Sequence, residues 1–363
     1  MRIVPERPQS GRGFLAATSL LVMLAAGSCD RFFFLGPGDG MGWLPPRIVF
    51  ASDSLNPLAA GPLPTYDLTS SEILSAKPDG SDLLRITANN LYDGQPTVSR
   101  DGRTIVFVGD TRVLTFAAVL RQLFAVNSDG TGERELALSS NGDDYDPALS
   151  PDGKTVAFIS DRDGNPEVYV GSIDGSVALR LTVTPDAAES APAWSPDGNW
   201  IAFVRQTDAV TGAELWKLVS PYSPILGPPG PVNITALVRG KDPAFVQQYN
   251  TWASPDWSPD GNRIAFSAQY QGMLDWYVPS QVFIVDLQTF TVVKPEDPTD
   301  RFVDYSIEED PSWSPDGSKL VFTARDPSVP KLVIITTAGF RLGEISLSPH
   351  QRCWQADWAG GEF

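Results

Sequence analysis

Histidine occurs once in this 363-residue chain and cysteine only twice. A zinc site, which draws on imidazole and thiolate ligands, has nothing to assemble from. The single histidine, His350, would have to serve any serine–histidine triad, and no G-x-S-x-G turn accompanies it. No catalytic residue, metal ligand or cofactor is therefore expected. Basic residues are also scarce: 27 Lys+Arg stand against 44 Asp+Glu, a formal net charge of −17. This balance argues against nucleic acid, whose binding rests on neutralising phosphates, and makes a cationic partner the natural fit. Helical periodicity of useful length is missing. The one long apolar run, Phe14 to Ala26, is too short to span a bilayer comfortably.

What the chain has instead is one phrase written repeatedly. It reads PALSPDGKTVAF (147–158), PAWSPDGNWIAF (192–203), PDWSPDGNRIAF (255–266) and PSWSPDGSKLVF (311–322), with a looser PTVSRDGRTIVF at 96–107. In S-P-D-G, proline presets the second position of a tight turn, and glycine takes the positive φ that closes a hairpin. The residues that follow alternate large and small, as in Ile264-Ala265-Phe266, which is strand periodicity. A third run follows each copy (QLFAV 122–126, EVYVG 167–171, ELWKL 214–218, QVFIV 281–285, KLVII 331–335), and short fourth runs such as ALRLTV (178–183) come after.

Four antiparallel strands per unit, repeated in tandem, make the blades of a β-propeller. The residue before the serine (Val98, Leu149, Trp194, Trp257, Trp313) recurs at intervals of 45 to 63 residues. A truncated copy, QADWAG (355–360), lacks its second strand, which PRIVFAS (46–52) supplies from the other end of the chain. The expectation is an all-β fold: a six-bladed propeller of four-stranded blades, closed by N- and C-terminal segments sharing one blade, which leaves no open sheet edge.

Residues 1–28 stand apart. Arg2, Arg7 and Arg12 precede the apolar run, as in a secretory signal. The run ends in Ala26-Gly27-Ser28-Cys29, similar to a bacterial lipobox though without its usual leucine. The expected organisation is a lipoprotein signal peptide (1–28), a Gly/Pro tether (29–45) and the propeller (46–363). Cys29 is the expected lipidation site, anchoring the chain to a membrane on the periplasmic or outer-surface side of the cell envelope. Cys353 is left as a thiol in the closing strand.

The phrase P-x-W-S-P-D-G-x-x-I-A-F, together with SDRDGNPEVYV (160–170), resembles the TolB-like propeller repeats of bacterial envelope proteins over residues 46–359. The resemblance implies a fold first, and a role in docking an envelope protein or peptide second. TolB itself is periplasmic, and its propeller docks a peptidoglycan-associated lipoprotein. TolB also carries an α/β domain ahead of its propeller; with 17 residues between Cys29 and Arg47, that domain is not expected here. Asp161–Asn165 resembles a calcium loop only superficially, because Pro166 stands where such loops need glycine.

A propeller blade presents short turns at one end and longer connections at the other. The long connections, where function concentrates, carry acids just ahead of each innermost strand: Asp93; Asp143, Asp144 and Asp146; Asp186 and Glu189; Glu308, Glu309 and Asp310. These are expected to ring the channel mouth as the partner-binding surface, with Tyr270, Trp276 and Tyr277 as apolar anchors beside it. The reading is a lipid-anchored, protein- or peptide-binding module. The alternative is a carbohydrate-active propeller enzyme using channel carboxylates.

Overall fold

The computed structural model describes residues 46–53, 71–89, 91–111, 120–138, 141–175, 178–208, 212–224, 230–271, 279–295, 307–325, 330–345 and 353–359. They form six four-stranded antiparallel sheets, the blades of a β-propeller. From inner to outer edge, blade 2 is β4 (Asp93–Val98), β5 (Thr104–Thr111), β6 (Leu120–Asn127) and β7 (Arg134–Glu135). Blade 3 is β8 (Asp144–Leu149), β9 (Thr155–Ser160), β10 (Glu167–Ser172) and β11 (Ala178–Arg180). Blade 4 is β12 (Ala188–Trp194), β13 (Trp200–Asp208), β14 (Gly212–Val219) and β15 (Val232–Asn233). Blade 5 is β16 (Tyr249–Trp257), β17 (Arg263–Tyr270), β18 (Ser280–Asp286) and β19 (Val292–Val293). Blade 6 is β20 (Ile307–Trp313), β21 (Lys319–Arg325), β22 (Pro330–Thr336) and β23 (Arg341–Ile345).

Blade 1 is built from both ends of the chain. Its inner strand is β24 (Cys353–Ala359), followed by β1 (Arg47–Asp53), β2 (Ser71–Ala76) and β3 (Leu84–Arg85). The pairing Ile48↔Trp358 and Val49↔Asp357 fixes the register of this closure.

The repeated phrase explains the local structure. In blade 3, Gly153 N–H donates to Ser150 O at 2.8 Å, and Ser150 N–H to Thr155 O at 2.8 Å. Asp152 accepts from Ser150 Oγ at 2.7 Å and from the Lys154 amide at 3.1 Å, so the turn's own side chains satisfy its free donors. Gly153 sits at φ +67°, a conformation that strains a side-chain-bearing residue. The phenylalanine that ends the phrase is Phe107, Phe158, Phe203, Phe266 or Phe322, with Phe50 in blade 1, and all six are buried. Burying each one stabilises the fold by roughly 1.5–3 kcal/mol, which sets the spacing between blades.

Two short helices were not expected from periodicity. They are α1 (Ile234–Lys241) and α2 (Pro243–Gln248), inserted between blades 4 and 5 in a stretch that reads as loop. Asn233 caps α1 by accepting from the Ala236 amide at 2.7 Å. Asp242 caps α2 through the Phe245 amide at 2.9 Å, with Pro243 in the first turn. Ile234, Val238 and Val246 then bury against Trp252 and Phe266.

Candidate functional site

Every innermost strand carries a bulge at the same place, immediately before the phrase. The bulged residues are Gln95, Asp146, Ala191, Ser254, Asp310 and Gln355, each with φ between +47° and +53°. All six line a central channel of about 320 Å³. A non-glycine residue at such φ costs on the order of 1–3 kcal/mol, so six in one ring need compensation from their surroundings.

Hydrogen bonds between blades provide it. The side chain of Gln355 accepts from the Gln95 amide at 2.9 Å, and that of Gln95 from the Asp146 amide at 3.0 Å. Asp146 in turn accepts from the Ala191 amide at 2.9 Å. Ala191 has no acceptor to continue the belt, which resumes where Ser254 Oγ donates to Asp310 at 2.7 Å. Two residues further along the strands lies a second tier. Here Asp357 accepts from the Val98 amide at 2.9 Å and from Ser312 Oγ at 3.0 Å, and Asp256 accepts from the Trp313 amide at 2.7 Å.

Of the acids expected at the mouth, Asp146 and Asp310 line the channel. The others are placed differently. Asp144 is 1% exposed and takes both its oxygens to the Arg162 guanidinium at 3.0 Å. Glu189, also 1% exposed, pairs with Arg205 at 2.7 Å and accepts from the Thr184 hydroxyl at 2.9 Å. Asp93 is buried and accepts from Asn89 Nδ2 at 2.8 Å. Glu308 accepts from the Val282 amide at 3.0 Å, and Asp143 from the Arg121 amide at 3.0 Å. Glu309 is half-buried on β20 and Asp186 is exposed.

The bulge is the reason for this division. It breaks the two-residue alternation, so acids before it turn between blades while the bulged residue itself turns inward. The channel positions missed from the sequence, Gln95, Asp256, Gln355 and Asp357, do have a signal. In five blades the bulged residue precedes a proline, and the second-tier residue follows that proline.

Tyr270 packs edge-on against Tyr249 at 5.7 Å, inside the aromatic cluster of blade 5. Cys29, Trp276, Tyr277 and His350 lie outside the described residues.

Enclosure changes the acids. Burial, reinforced by the charge of Asp357, pushes Asp256 up to about 7. Burial also raises Asp146, with the Asp310 charge adding to it, and raises Asp357. Outside the channel, burial and the neighbouring Glu72 bring Asp93 to about 7. Among the described residues no group of three or more His, Cys, Asp or Glu side chains is arranged to hold a metal ion.

Comparison with known proteins agrees with this architecture. Residues 113–221 match the PD40 family, TolB beta propeller domain. A TolB homolog of Chlamydia muridarum is 29% identical over 148 residues, 40% of this chain and 31% of that protein. A TolB homolog of Protochlamydia amoebophila is 27% identical over 224 residues, 61% of this chain and 44% of that one. The chain thus spans less than half the length of either relative. The crystal structure of TolB from Acinetobacter baumannii superposes with a TM-score of 0.60 at 20% identity, covering 87% of this chain and 67% of that one. With the repeated phrase and the six closed blades, these matches identify the chain as a TolB-like β-propeller.

Proposed function

We propose that this protein is a binding module of the bacterial cell envelope, held to a membrane by lipid on Cys29. Its channel and the surrounding connections receive a cationic segment of an envelope protein or peptide. The observation that carries this reading is the channel, where Asp146, Asp256, Asp310 and Asp357 gather four acidic side chains around about 320 Å³. Carboxylates lining a concave, low-dielectric mouth focus negative potential and speed the approach of cationic partners. The TolB relatives support an envelope setting. Among the described residues no helix is long and apolar enough to cross a membrane, and a lipidated Cys29 offers another route to one.

The carbohydrate-cleaving alternative needs two carboxyl groups available across a glycosidic bond. Asp256 and Asp357 instead accept backbone amides of neighbouring blades, a role in holding the ring together. No enzymatic activity is proposed.

The reading is tested by cross-linking in intact cells. The parent and an Asp146→Asn/Asp310→Asn variant are compared, with mass spectrometry of captured proteins and of the mature N-terminus. An envelope protein captured by the parent and lost from the variant supports the proposal. Equal capture by both proteins, or an unmodified Cys29, removes the corresponding part.

A further inference from the structure

One position of the repeat breaks its own rule. The residue of the third strand that pairs with the small or β-branched residue of the second is Ser75, Ala125, Val170, Ile284 or Ile334 in five blades. It is buried and uncharged in each. In blade 4 it is Lys217, paired with Ala202. A charge at a core position of a repeat breaks the local rule, and such breaks concentrate where function has overridden packing.

The lysine opens a groove of about 430 Å³ between blades 4 and 5, at the end of the molecule where the S-P-D-G turns lie. Its ammonium stands 4.4 Å from the centre of the Trp200 ring and 5.9 Å from that of Trp257. Among the described residues no oxygen lies within hydrogen-bond or ion-pair distance of its Nζ. Burial lowers its affinity for the proton, with the charge of Asp197 acting the other way. The ammonium, an obligate donor, therefore rests against indole rings without an oxygen acceptor among the described residues.

The other groups in the groove are already engaged. Asp197 accepts from Ser195 Oγ at 2.5 Å, from the Asn199 amide at 3.0 Å and from Asn199 Nδ2 at 2.8 Å. Asp260 accepts from the Asn262 amide at 3.0 Å and pairs with Arg263 at 3.3 Å. Arg100 lines the same groove and stands where the other copies of the turn have proline. Lys217 and Arg100 thus match Asp197 and Asp260 in number along the groove, in a chain whose net charge is −17.

We propose that the groove between blades 4 and 5 binds a ligand carboxylate, which accepts the Lys217 ammonium while its apolar stem lies against Trp200 and Trp257. The groove shares Arg100, Pro196, Trp257 and Pro259 with the channel lining but none of the channel acids, so the proposal does not rest on the channel reading. The carboxylate belongs either to an acidic side chain of a peptide or to an acidic sugar, and the probes separate these sources.

Full-length protein with ¹⁵N-labelled tryptophan is titrated with N-acetylglutamate, with glucuronate and with the uncharged N-acetylglutamine, following indole signals assigned by Trp200→Phe and Trp257→Phe. The expected result is a saturable shift with at least one acid, at least tenfold weaker with the amide and with Lys217→Met. The acid that binds more tightly names the source. Arg100→Pro restores the residue of the other copies, so it keeps the turn, and it is expected to weaken binding severalfold. Absence of a saturable shift with both acids overturns the proposal. So does equal binding by Lys217→Met. If Lys217→Met does not fold, unchanged binding by Arg100→Pro together with equal affinity for acid and amide overturns it as well.

Discussion

Trp257 of blade 5 donates its indole Nε1–H to the carbonyl of Ala193 in blade 4, 3.1 Å away. Trp194 repeats the contact one blade earlier with Ala148, and Trp358 repeats it across the closure with Ser312, both at 3.1 Å. A tryptophan at this position thus pins blades 4, 5 and 1 each to the blade before it. Trp313 is the exception: it is 4% exposed, and its Nε1 has no acceptor among the described residues.

This exception gives a matched pair of substitutions. Trp257→Phe removes a buried hydrogen bond, whereas Trp313→Phe removes a donor that is already unsatisfied. Both lose similar packing. The first variant is expected to be less stable than the second by about 1 kcal/mol, read from urea midpoints. Equal midpoints would mean that the pins contribute nothing net.

A second expectation concerns pH. The carboxyl of Asp256 is pushed to about 7 in the folded protein, against about 3.9 in an unfolded chain. The folded state therefore holds a proton that the unfolded state releases earlier. The stability tied to this proton is complete below pH 4 and is lost as pH rises through 7. Asp256→Asn keeps an acceptor for the Trp313 amide without the charge. It should match the parent near or below pH 4, draw ahead as pH rises and exceed it at pH 8, by on the order of 1–4 kcal/mol. A difference that stays constant from pH 5 to pH 8 would show that Asp256 does not titrate in this window.

The blades were legible in the sequence because one phrase carries both the turn chemistry and the strand alternation, and the second strands of all five copies fall where that pattern puts them. The channel was not, because alternation assigns faces only while a strand is regular. Asp144 and Asp146 are two residues apart and would share a face on an unbroken strand. The positive φ at Asp146 separates them, sending one to Arg162 and the other to the channel. The helices of the blade 4–5 connection were hidden by their length, since eight and six residues leave too few turns for periodicity to register. Their caps, Asn233 and Asp242, were the available signal.

Closure of the ring is tested by truncation. Deleting Arg352–Phe363 removes β24, exposes the edge of β1 and takes with it the Trp358 pin and both bonds made by Asp357. Deleting only residues 360–363 leaves all of these in place. The longer deletion should lose cooperative unfolding or melt far below the parent, while the shorter one melts within a few degrees of it. Similar melting of the two would show that the shared blade contributes little to the propeller.

The last expectation separates the two classes of acid that the bulge creates. Asp144→Asn breaks a buried bidentate pair and leaves the Arg162 guanidinium, held over the Tyr169 ring at 4.8 Å, without its counter-charge. A loss of about 3–5 kcal/mol is expected, because one partner of a buried pair has been removed while the other stays. Asp146→Asn/Asp310→Asn relieves repulsion between two channel carboxylates, so the fold should hold or gain slightly in stability. An oligolysine peptide should bind this double variant with a slower on-rate and a shallower salt dependence, since the channel's focused potential is what draws it in. The control, Glu133→Gln/Glu135→Gln, neutralises two exposed acids next to or on the outer strand of blade 2, away from the channel. If it slows the peptide as much as the channel variant does, the attraction belongs to the overall charge of −17 rather than to the channel. A partner surface would then have to be sought on the connections around the mouth.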